Sequence, residues 1–380
     1  MKVSQIATLL NETLVPNYLG QEVTISEDLS NVVELGTAIA DLDGEEVKNF
    51  AGDFIVGVAR NVFDTRQYNR DTYGLMNDAR EYGGVIQRVK AKLLGASDSP
   101  IWTLESGQDY FDGTYYGIET DVKIYSKDTA FQVENSIPTE MYKQYFTSAD
   151  GVREFVAMIE STVDNTITVE LNALAKTTLQ QLIATVSADR SISLLTLYNT
   201  SAGLTGDDEL TASDALHNAP FLRWSAEQIV RLRDMTQDYN EKYNDGTVPT
   251  FTPAEDLRVT LLSEFARAIE FNMEADTFHR DLVSVGEYNT INFWQNASDS
   301  LLPSLGVTAE VKTNVGEESP VTISNVVGII HDRYTAGLTA RLDKITAQYI
   351  ANGDYTTYFH HIANSRFIDT RNTAVILRLV

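Results

Sequence analysis

The 380-residue sequence contains no cysteine, few basic residues and no long apolar run. The absence of cysteine excludes disulfides, thiolate metal ligands and a thiol nucleophile. The longest clearly apolar runs, at 54–59 and 326–330, fall far short of the ~18 residues that a membrane helix needs. The N-terminal residues carry one lysine and a polar, helix-like pattern, which is not typical of a secretory signal. We therefore expect neither a membrane-spanning helix, nor a secretory signal, nor a disulfide-stabilised fold.

Positive charge is also scarce, because 29 Lys and Arg stand against 54 Asp and Glu and the formal net charge is −25. Such a chain repels phosphate backbones, so sequence-specific nucleic-acid binding is not expected. Residues 321–380 hold six Lys/Arg and four Asp, so the acidity lies in the rest of the chain. Two interpretations remain open: a solvated acidic surface, or a mildly basic C-terminal segment that lies against acidic neighbours in other copies.

Residues 1–80 show helical patterns separated by short turns. Ser26 precedes an apolar stripe and is a good helix N-cap, and Asp43 with Glu46 resembles a capping box. An Asp-x-Asp pair at 41–43 lacks the further ligands at the spacing that calcium requires, which favours capping over metal binding. We predict a helical N-terminal arm over 1–80.

Residues 81–146 predict a long β-hairpin. The stretches RVKAKLL (88–94) and DVKIYSK (121–127) alternate between two faces, and Val122 and Ile124 share one of them. Since an isolated two-stranded hairpin is marginal in water, this one must lie on its own chain or on a neighbouring chain.

Aromatic side chains gather in the predicted tip of this hairpin. They lack interleaved Lys and Arg and sit among Asp and Glu, which favours a protein–protein contact over the stacking of bases. The candidate contact residues are Trp102, Tyr110, Phe111, Tyr115 and Tyr116.

The strongest helical signal follows, because no Gly or Pro occurs between Gly151 and Gly203. Apolar residues recur there at intervals of three or four, with one double step, and predict one amphipathic helix of roughly 35 residues, about 50 Å long. Thr, Asn and Gln flank this stripe, so packing against a sheet is favoured over a coiled coil. The stripe consists of Val152, Val156, Ile159, Val163, Ile167, Leu171, Leu174, Leu182 and Val186.

No residue pattern in the sequence predicts catalysis, a cofactor or a metal. His360 and His361 are adjacent on a predicted strand and would point to opposite faces, so they cannot share one metal ion without a bulge. His279 has Asp276 and Asp281 nearby, but neither a nucleophile elbow nor a paired-carboxylate signature accompanies it. Dinucleotide and phosphate-loop glycine motifs are absent as well.

The order of predicted elements resembles the major capsid proteins of tailed bacteriophages, which have the Hong-Kong-97-type shell fold. Three stretches carry the resemblance: ESTVDNTITVELNALAKTTLQQLIA (160–184), DTFHRDLVSVGEYNTINFWQ (276–295) and VVGIIHDRYTAGLTARLDKITAQYIANGDYTTYFHHIANSRF (326–367). The second is similar to a part of the axial lobe in capsid proteins of phages that infect Gram-positive gut bacteria.

The resemblance implies an α+β fold with a peripheral sheet and an inserted axial α/β domain. It implies the following division: helical N-terminal arm, 1–80; extended loop, 81–146; spine helix of the peripheral domain, 147–195; axial domain, 196–325; return strands of the peripheral domain, 326–380.

The resemblance also implies a structural, non-enzymatic role in an icosahedral shell around double-stranded DNA. The expected partners are copies of the chain in pentamers and hexamers, a separate scaffold protein and a portal protein, and the binding of decoration proteins on the outside stays open. Two alternatives stay open: an encapsulin-like cellular compartment that packages an enzyme, and an acidic cytoplasmic hydrolase that uses His279 or the pair His360–His361.

The C-terminal stretch RNTAVILRLV is unusually apolar for a chain end. We predict that it closes the peripheral sheet beside the returning strands, under the long helix. Only Arg378 interrupts its two apolar faces, so cover on both sides is expected, with one side supplied by a neighbouring subunit.

Overall fold

The computed structural model describes residues 7–8, 10–11, 24–26, 73–77, 86–91, 103–110, 113, 117–125, 128–138, 141, 149–186, 190–245, 249–274, 287–295, 311–313 and 321–380. The strands are β1 (Met76–Asn77), β2 (Ile86–Ala91), β3 (Thr120–Tyr125), β4 (Asp128–Pro138), β5 (Ser191–Ser193), β6 (Leu257–Leu262), β7 (Asn289–Ile291), β8 (Val311–Thr313), β9 (Val321–Ile323), β10 (Val326–Asp332), β11 (Ala336–Ile350), β12 (Tyr355–Ile368) and β13 (Ala374–Arg378). The helices are α1 (Ala149–Val186), α2 (Leu194–Ala202), α3 (Ala212–Ala215), α4 (Ala219–Gln237) and α5 (Ser263–Glu274).

Helix α1 confirms the predicted long helix and contains 38 residues. Most of the predicted stripe is buried, and the helix packs on both the β11–β12 sheet and the β8–β9 pair. Gln180 fixes it at one point, because its amide nitrogen donates to the backbone oxygen of Trp294 over 2.7 Å. The buried stripe residues are Ile159, Val163, Ile167, Leu171, Leu174, Leu182 and Val186.

A five-stranded mixed sheet, in the order β5–β13–β10–β6–β7, supplies much of the hydrophobic core of the described residues. Strands β5 and β7 run parallel to their neighbours, and β10 is antiparallel to both β13 and β6. Gly328 allows this close pairing, since an added Cβ would lie 2.6 Å from the Leu261 Cδ2 atom. Strand β6 leads directly into helix α5.

A second sheet has four strands in the order β1–β11–β12–β4. Its two longest strands pair antiparallel from Ala336↔Ile368 to Ile350↔Tyr355, with an irregularity between Ala340 and Leu342. Strand β1 adds to its edge in parallel with β11. The end of the predicted N-terminal arm therefore contributes a strand to this sheet.

The C-terminal strand β13 corrects two predictions. It pairs with β10, as expected, but that pair lies in the five-stranded sheet with β6 and β7, whereas β11 and β12 belong to the other sheet. Residues 326–380 are thus divided between two sheets. The main chain of β13 is hydrogen-bonded on both sides, and residues 374–377 and 379 are buried within the single chain, so its cover needs no neighbouring subunit.

The end of the chain is also tied to helix α2. The backbone oxygen of Val380 accepts hydrogen bonds from the Thr196 amide (3.0 Å) and from the Thr196 hydroxyl (2.7 Å). Arg378, the one charged residue of the stretch, donates from Nε to the backbone oxygen of Ser324 over 3.1 Å. The final seven residues are therefore an integral part of the core.

The predicted helices that begin at Ser26 and Asp43 lie outside the described residues, apart from Ser26 itself. Near the start of the chain, the Asn11 side chain donates to the Ile25 backbone oxygen and accepts from the Ile25 amide, each over 2.7 Å. The exact division of the chain into domains stays a prediction.

Candidate functional site: the hairpin and its attachment

The two alternating stretches of the sequence pair as an antiparallel hairpin of strands β2 and β3. The register runs from Ile86↔Tyr125 to Ala91↔Thr120, with Val89 directly opposite Val122. Because side chains alternate across a strand, this register gives the hairpin two distinct faces. The predicted hairpin is confirmed for these residues.

The inner face of the hairpin, defined by Ile86, Arg88, Lys90, Tyr125 and Lys123, is half-buried or buried. Ile86 is only 5% exposed. This face therefore packs on the body of the same chain although much of it is charged.

A cluster of charged residues attaches the inner face to the body, and we call Arg88, Lys90, Asp121, Asp369 and Arg371 the base cluster. Arg371 lies at its centre and pairs with Asp369 through two hydrogen bonds, Nε–Oδ1 at 2.8 Å and Nη2–Oδ2 at 2.7 Å. Both side chains are at least 95% buried. A buried bidentate ion pair of this kind fixes the relative orientation of its two side chains.

Arg371 also holds both strands of the hairpin. Its Nη1 atom lies 2.9 Å from the Asp121 Oδ2 atom and donates to the Asp121 backbone oxygen over 3.1 Å. In return, Lys90 on β2 donates from Nζ to the Arg371 backbone oxygen over 2.6 Å. The hairpin and the segment after β12 are thus connected in both directions.

Aromatic rings complete the attachment. The Arg88 guanidinium carbon lies 4.1 Å from the ring centre of Phe367 and 5.1 Å from that of Tyr334. The rings of Tyr125 and Phe367 are 6.1 Å apart. Cation–π contacts tolerate burial better than a bare charge does, so the Arg88 side chain can enter this interface.

The electrostatics of the base cluster follow from its burial. Burial lowers the pKa of Arg88 and of Lys90, and the nearby carboxylate of Asp369 opposes both shifts. Burial alone would raise the pKa of Asp369, but the hydrogen bonds and charge of Arg371 outweigh it and lower this pKa. The ion pair therefore persists at neutral pH and weakens only in acid.

The outer face of the hairpin, defined by Val89, Val122 and Ile124, is apolar and bare. These side chains are 59%, 44% and 65% exposed. Among the described residues no element covers them. The hairpin thus turns its charged face towards its own chain and its apolar face away from it. This is the reverse of what burial of apolar area within one chain would produce.

The predicted aromatic contact residues lie in the loop between β2 and β3. Tyr110 is 40% exposed, and its hydroxyl accepts from the Glu105 amide over 2.7 Å and donates to the Thr103 backbone oxygen over 3.3 Å. Trp102, Phe111, Tyr115 and Tyr116 lie outside the described residues. Their role in a contact stays a prediction.

The histidines of strand β12 point to opposite faces, as predicted. His360 is buried, and neither ring nitrogen has a hydrogen-bond partner among the described residues. Burial lowers its pKa to about 4. His361 instead shares a 2.9 Å hydrogen bond with the Thr346 hydroxyl. His279 lies outside the described residues, within which no cluster of potential metal ligands occurs.

The base cluster is not among the features predicted from the sequence. Lys90 and Arg371 are 281 positions apart, and neither lies in a local motif. The available signals were the alternation of Arg88 and Lys90 on one face of β2 and the net positive charge of the last sixty residues.

A model of the Phi29-like phage major capsid protein family matches residues 10–376, nearly the whole chain. Comparison with curated protein sequences finds no match. In the described part of the chain, no helix is both long enough and apolar enough to cross a membrane.

Solved phage structures have the same fold. A chain of the capsid structure of Staphylococcus phage Andhra superposes with a TM-score of 0.53 at 10% identity, over 82% of this chain and 84% of that one. A chain of the structure described as head fiber and inner core protein gp22 of native bacteriophage P68 gives a TM-score of 0.51 at 12% identity, over 80% and 83%. With the family match, these findings confirm the predicted capsid fold. The chain belongs to the Phi29-like phage major capsid protein family and is a structural protein of the phage capsid shell.

Proposed function

We propose that the chain surrounds a double-stranded DNA genome in the phage head, and that the outer face of its hairpin is a contact between subunits. The observation that carries this proposal is the bare apolar face of Val89, Val122 and Ile124 on a rigidly attached hairpin. Exposed contiguous apolar surface of this kind is typical of interaction sites. A second copy is the partner that a shell supplies at every position.

Attachment of the hairpin base supports this role. A free two-stranded hairpin would lose conformational entropy on docking and would weaken the contact. The base cluster fixes the orientation of the hairpin in the folded subunit. The conformational entropy of the hairpin is therefore lost when the subunit folds and not when a neighbour docks. We expect the aromatic tip residues Trp102, Tyr110, Phe111, Tyr115 and Tyr116 to extend the same contact.

The charge of the chain supports enclosure of DNA without adhesion. A net charge of −25 repels a phosphate backbone over about a Debye length, roughly 10 Å at 0.1 M salt. We accordingly propose no sequence-specific contact with the genome and no catalytic role for the chain.

Further partners belong to the same proposal. Pentamers and hexamers of the chain would form the shell in the host cytoplasm, guided by a separate scaffold protein and joined to a portal protein. Decoration proteins would bind outside. The family match favours this phage role over a cellular compartment or a hydrolase.

Co-expression of the chain with its scaffold protein, followed by electron microscopy, tests the proposal. Closed shells are expected from the unmodified chain. Stable monomers under every assembly condition would contradict it.

A further inference from the structure

A groove beside the edge of the five-stranded sheet has an unusual lining. It lies between strand β5 and helix α4 and has a cavity volume of about 500 Å³. Three cations, Arg190, Arg231 and Lys242, line it, and no carboxylate does among the described residues. In a chain with 54 acidic and 29 basic residues, such a lining favours an anionic occupant.

Two of these cations are available to a partner. Arg190 is buried, donates to the Thr370 backbone oxygen over 3.1 Å and lies 4.0 Å from the Asp245 carboxylate. Arg231 and Lys242 are exposed and pair with no carboxylate of the described chain. Lys242 rests 5.8 Å from the ring centre of Tyr243, which keeps it at the groove.

The wall formed by β5 also has unused hydrogen-bonding capacity. Strand β5 is the edge of its sheet, with β13 on one side and no described strand on the other. The Ser191 hydroxyl lines the groove, is shielded from solvent and has no hydrogen-bond partner within the described residues. A hydroxyl without a partner favours an occupant that can accept its hydrogen bond, as the carboxylate oxygens of an acidic segment do.

The same lobe carries a segment of matching charge. Thr196 of helix α2 lines the groove, and an acidic turn formed by Asp207, Asp208 and Glu209 follows this helix in the chain. All three acidic side chains are exposed, and no described cation pairs with them.

We infer that this groove binds the acidic turn of a second copy of the chain. One subunit then uses its groove and its neighbour uses its turn, which is a head-to-tail contact that closes into a ring when repeated by rotation. The inference rests on the proposed self-assembly and assigns it a second contact, remote from the hairpin.

Cysteine cross-linking tests this contact directly, because the natural chain has no cysteine. Gln228→Cys places a thiol in the groove, and Thr205→Cys places one beside the acidic turn without removing a charge. An equal mixture of the two variants should form a disulfide-linked heterodimer during assembly. Glu264→Cys on α5 is the matched control and should not join to either. Absence of the heterodimer, or equal linkage to the control, would overturn the inference.

Charge reversal gives a second readout. Arg231→Glu with Lys242→Glu should raise the protein concentration needed for half-maximal assembly about tenfold, because like charges then meet. Combining this pair with Asp207→Lys and Asp208→Lys should restore assembly to within about threefold of the unmodified chain. Arg223→Glu with Arg267→Glu, which changes the net charge by the same amount outside the groove, is the control. A reversed groove that assembles normally would contradict the inference.

The outcomes separate this inference from the proposed function. Shells from the unmodified chain, with no heterodimer from the two cysteine variants, contradict the groove contact alone. Failure of the unmodified chain to form shells contradicts the proposed function, while a heterodimer from the two cysteine variants still supports the contact.

Discussion

The C-terminal strand and the hairpin both present apolar side chains, but these side chains are covered in different ways. Strand β13 is paired on both sides and has its apolar residues buried by its own chain. The hairpin has one face attached by ion pairs, while its apolar face remains bare. Strand β13 therefore stabilises the folded subunit. The apolar face of the hairpin instead serves the contacts that the subunit makes after it has folded.

The largest expected effect is at the terminal strand. Deletion of residues 374–380 removes the strand between β5 and β10, and we expect no cooperatively folded subunit by circular dichroism. Ile376→Asp, which buries a charge in the same strand, should cost more than about 4 kcal/mol in unfolding free energy. A deletion variant with the unfolding transition of the full chain would show that β13 is dispensable.

Next in size is the base cluster. Arg371→Ala leaves the buried Asp369 carboxylate unpaired and should lower the unfolding free energy by about 3–5 kcal/mol. Replacement of both residues, Arg371→Met with Asp369→Leu, should cost less because no unpaired charge remains. Hydrogen exchange should accelerate first in β2 and β3 for the single variant. Equal losses for single and double variants would contradict the role of the ion pair.

As the pH falls, two buried histidines should lower the unfolding free energy before the ion pair of the base cluster is lost. His331 in β10 and His360 in β12 are buried, and burial lowers the pKa of each from 6.5 to about 4. As the pH falls, these histidines therefore bind protons in the unfolded chain before they do so in the folded subunit. The unfolding free energy decreases as the pH drops from 6.5 to about 4. Each group contributes up to about 3 kcal/mol, from 1.36 kcal/mol per pKa unit.

Urea unfolding between pH 7 and pH 4 measures this effect, and His360→Leu should flatten the profile. Asp369 affects the unfolding free energy at lower pH, because its pKa is lowered in the folded subunit. Its ion pair stabilises the subunit fully above the ordinary pKa of about 4, and this stabilisation disappears as the pH falls further. An unchanged profile in the His360→Leu variant would exclude this residue as a source.

Outer-face substitutions should separate folding from assembly. Val122→Asp should change the unfolding free energy by less than about 0.5 kcal/mol because the side chain is exposed, yet it should prevent shell formation. Ile86→Asp, on the inner face of the same hairpin, is the matched control and should destabilise the isolated subunit. Similar loss of subunit stability in both variants would show that the chain covers its own outer face.

The smallest effect is expected at the hairpin tip. Tyr110→Ala removes two hydrogen bonds of an exposed loop and should cost the subunit less than about 1 kcal/mol. Trp102→Ala should likewise weaken assembly more than subunit stability. Parallel unfolding and light-scattering measurements compare the two effects, and equal effects would show that the tip packs on its own chain.

Local patterns predicted the elements that depend on local sequence. The apolar stripe from Ile159 to Val186 specified α1, and the alternation around Val89 and Val122 specified the hairpin. These patterns carry no information on contacts between residues that are far apart in the sequence. Arg371 reaches Asp121 across 250 positions. A strand that is apolar on both faces does not reveal whether its own chain or another covers it, so the predicted sheet of β13 is wrong, as is the expected cover by a neighbouring subunit.

The most direct test of the contrast between the two regions is thiol labelling of Val122→Cys, since the natural chain has no cysteine. In the unassembled subunit this thiol should react at nearly the rate of an unfolded control, and in closed shells the reaction should slow at least about tenfold as a neighbour covers it. Glu264→Cys should react similarly in both states. Equal reactivity of the Val122→Cys thiol before and after assembly would contradict the proposal that a second copy covers the hairpin.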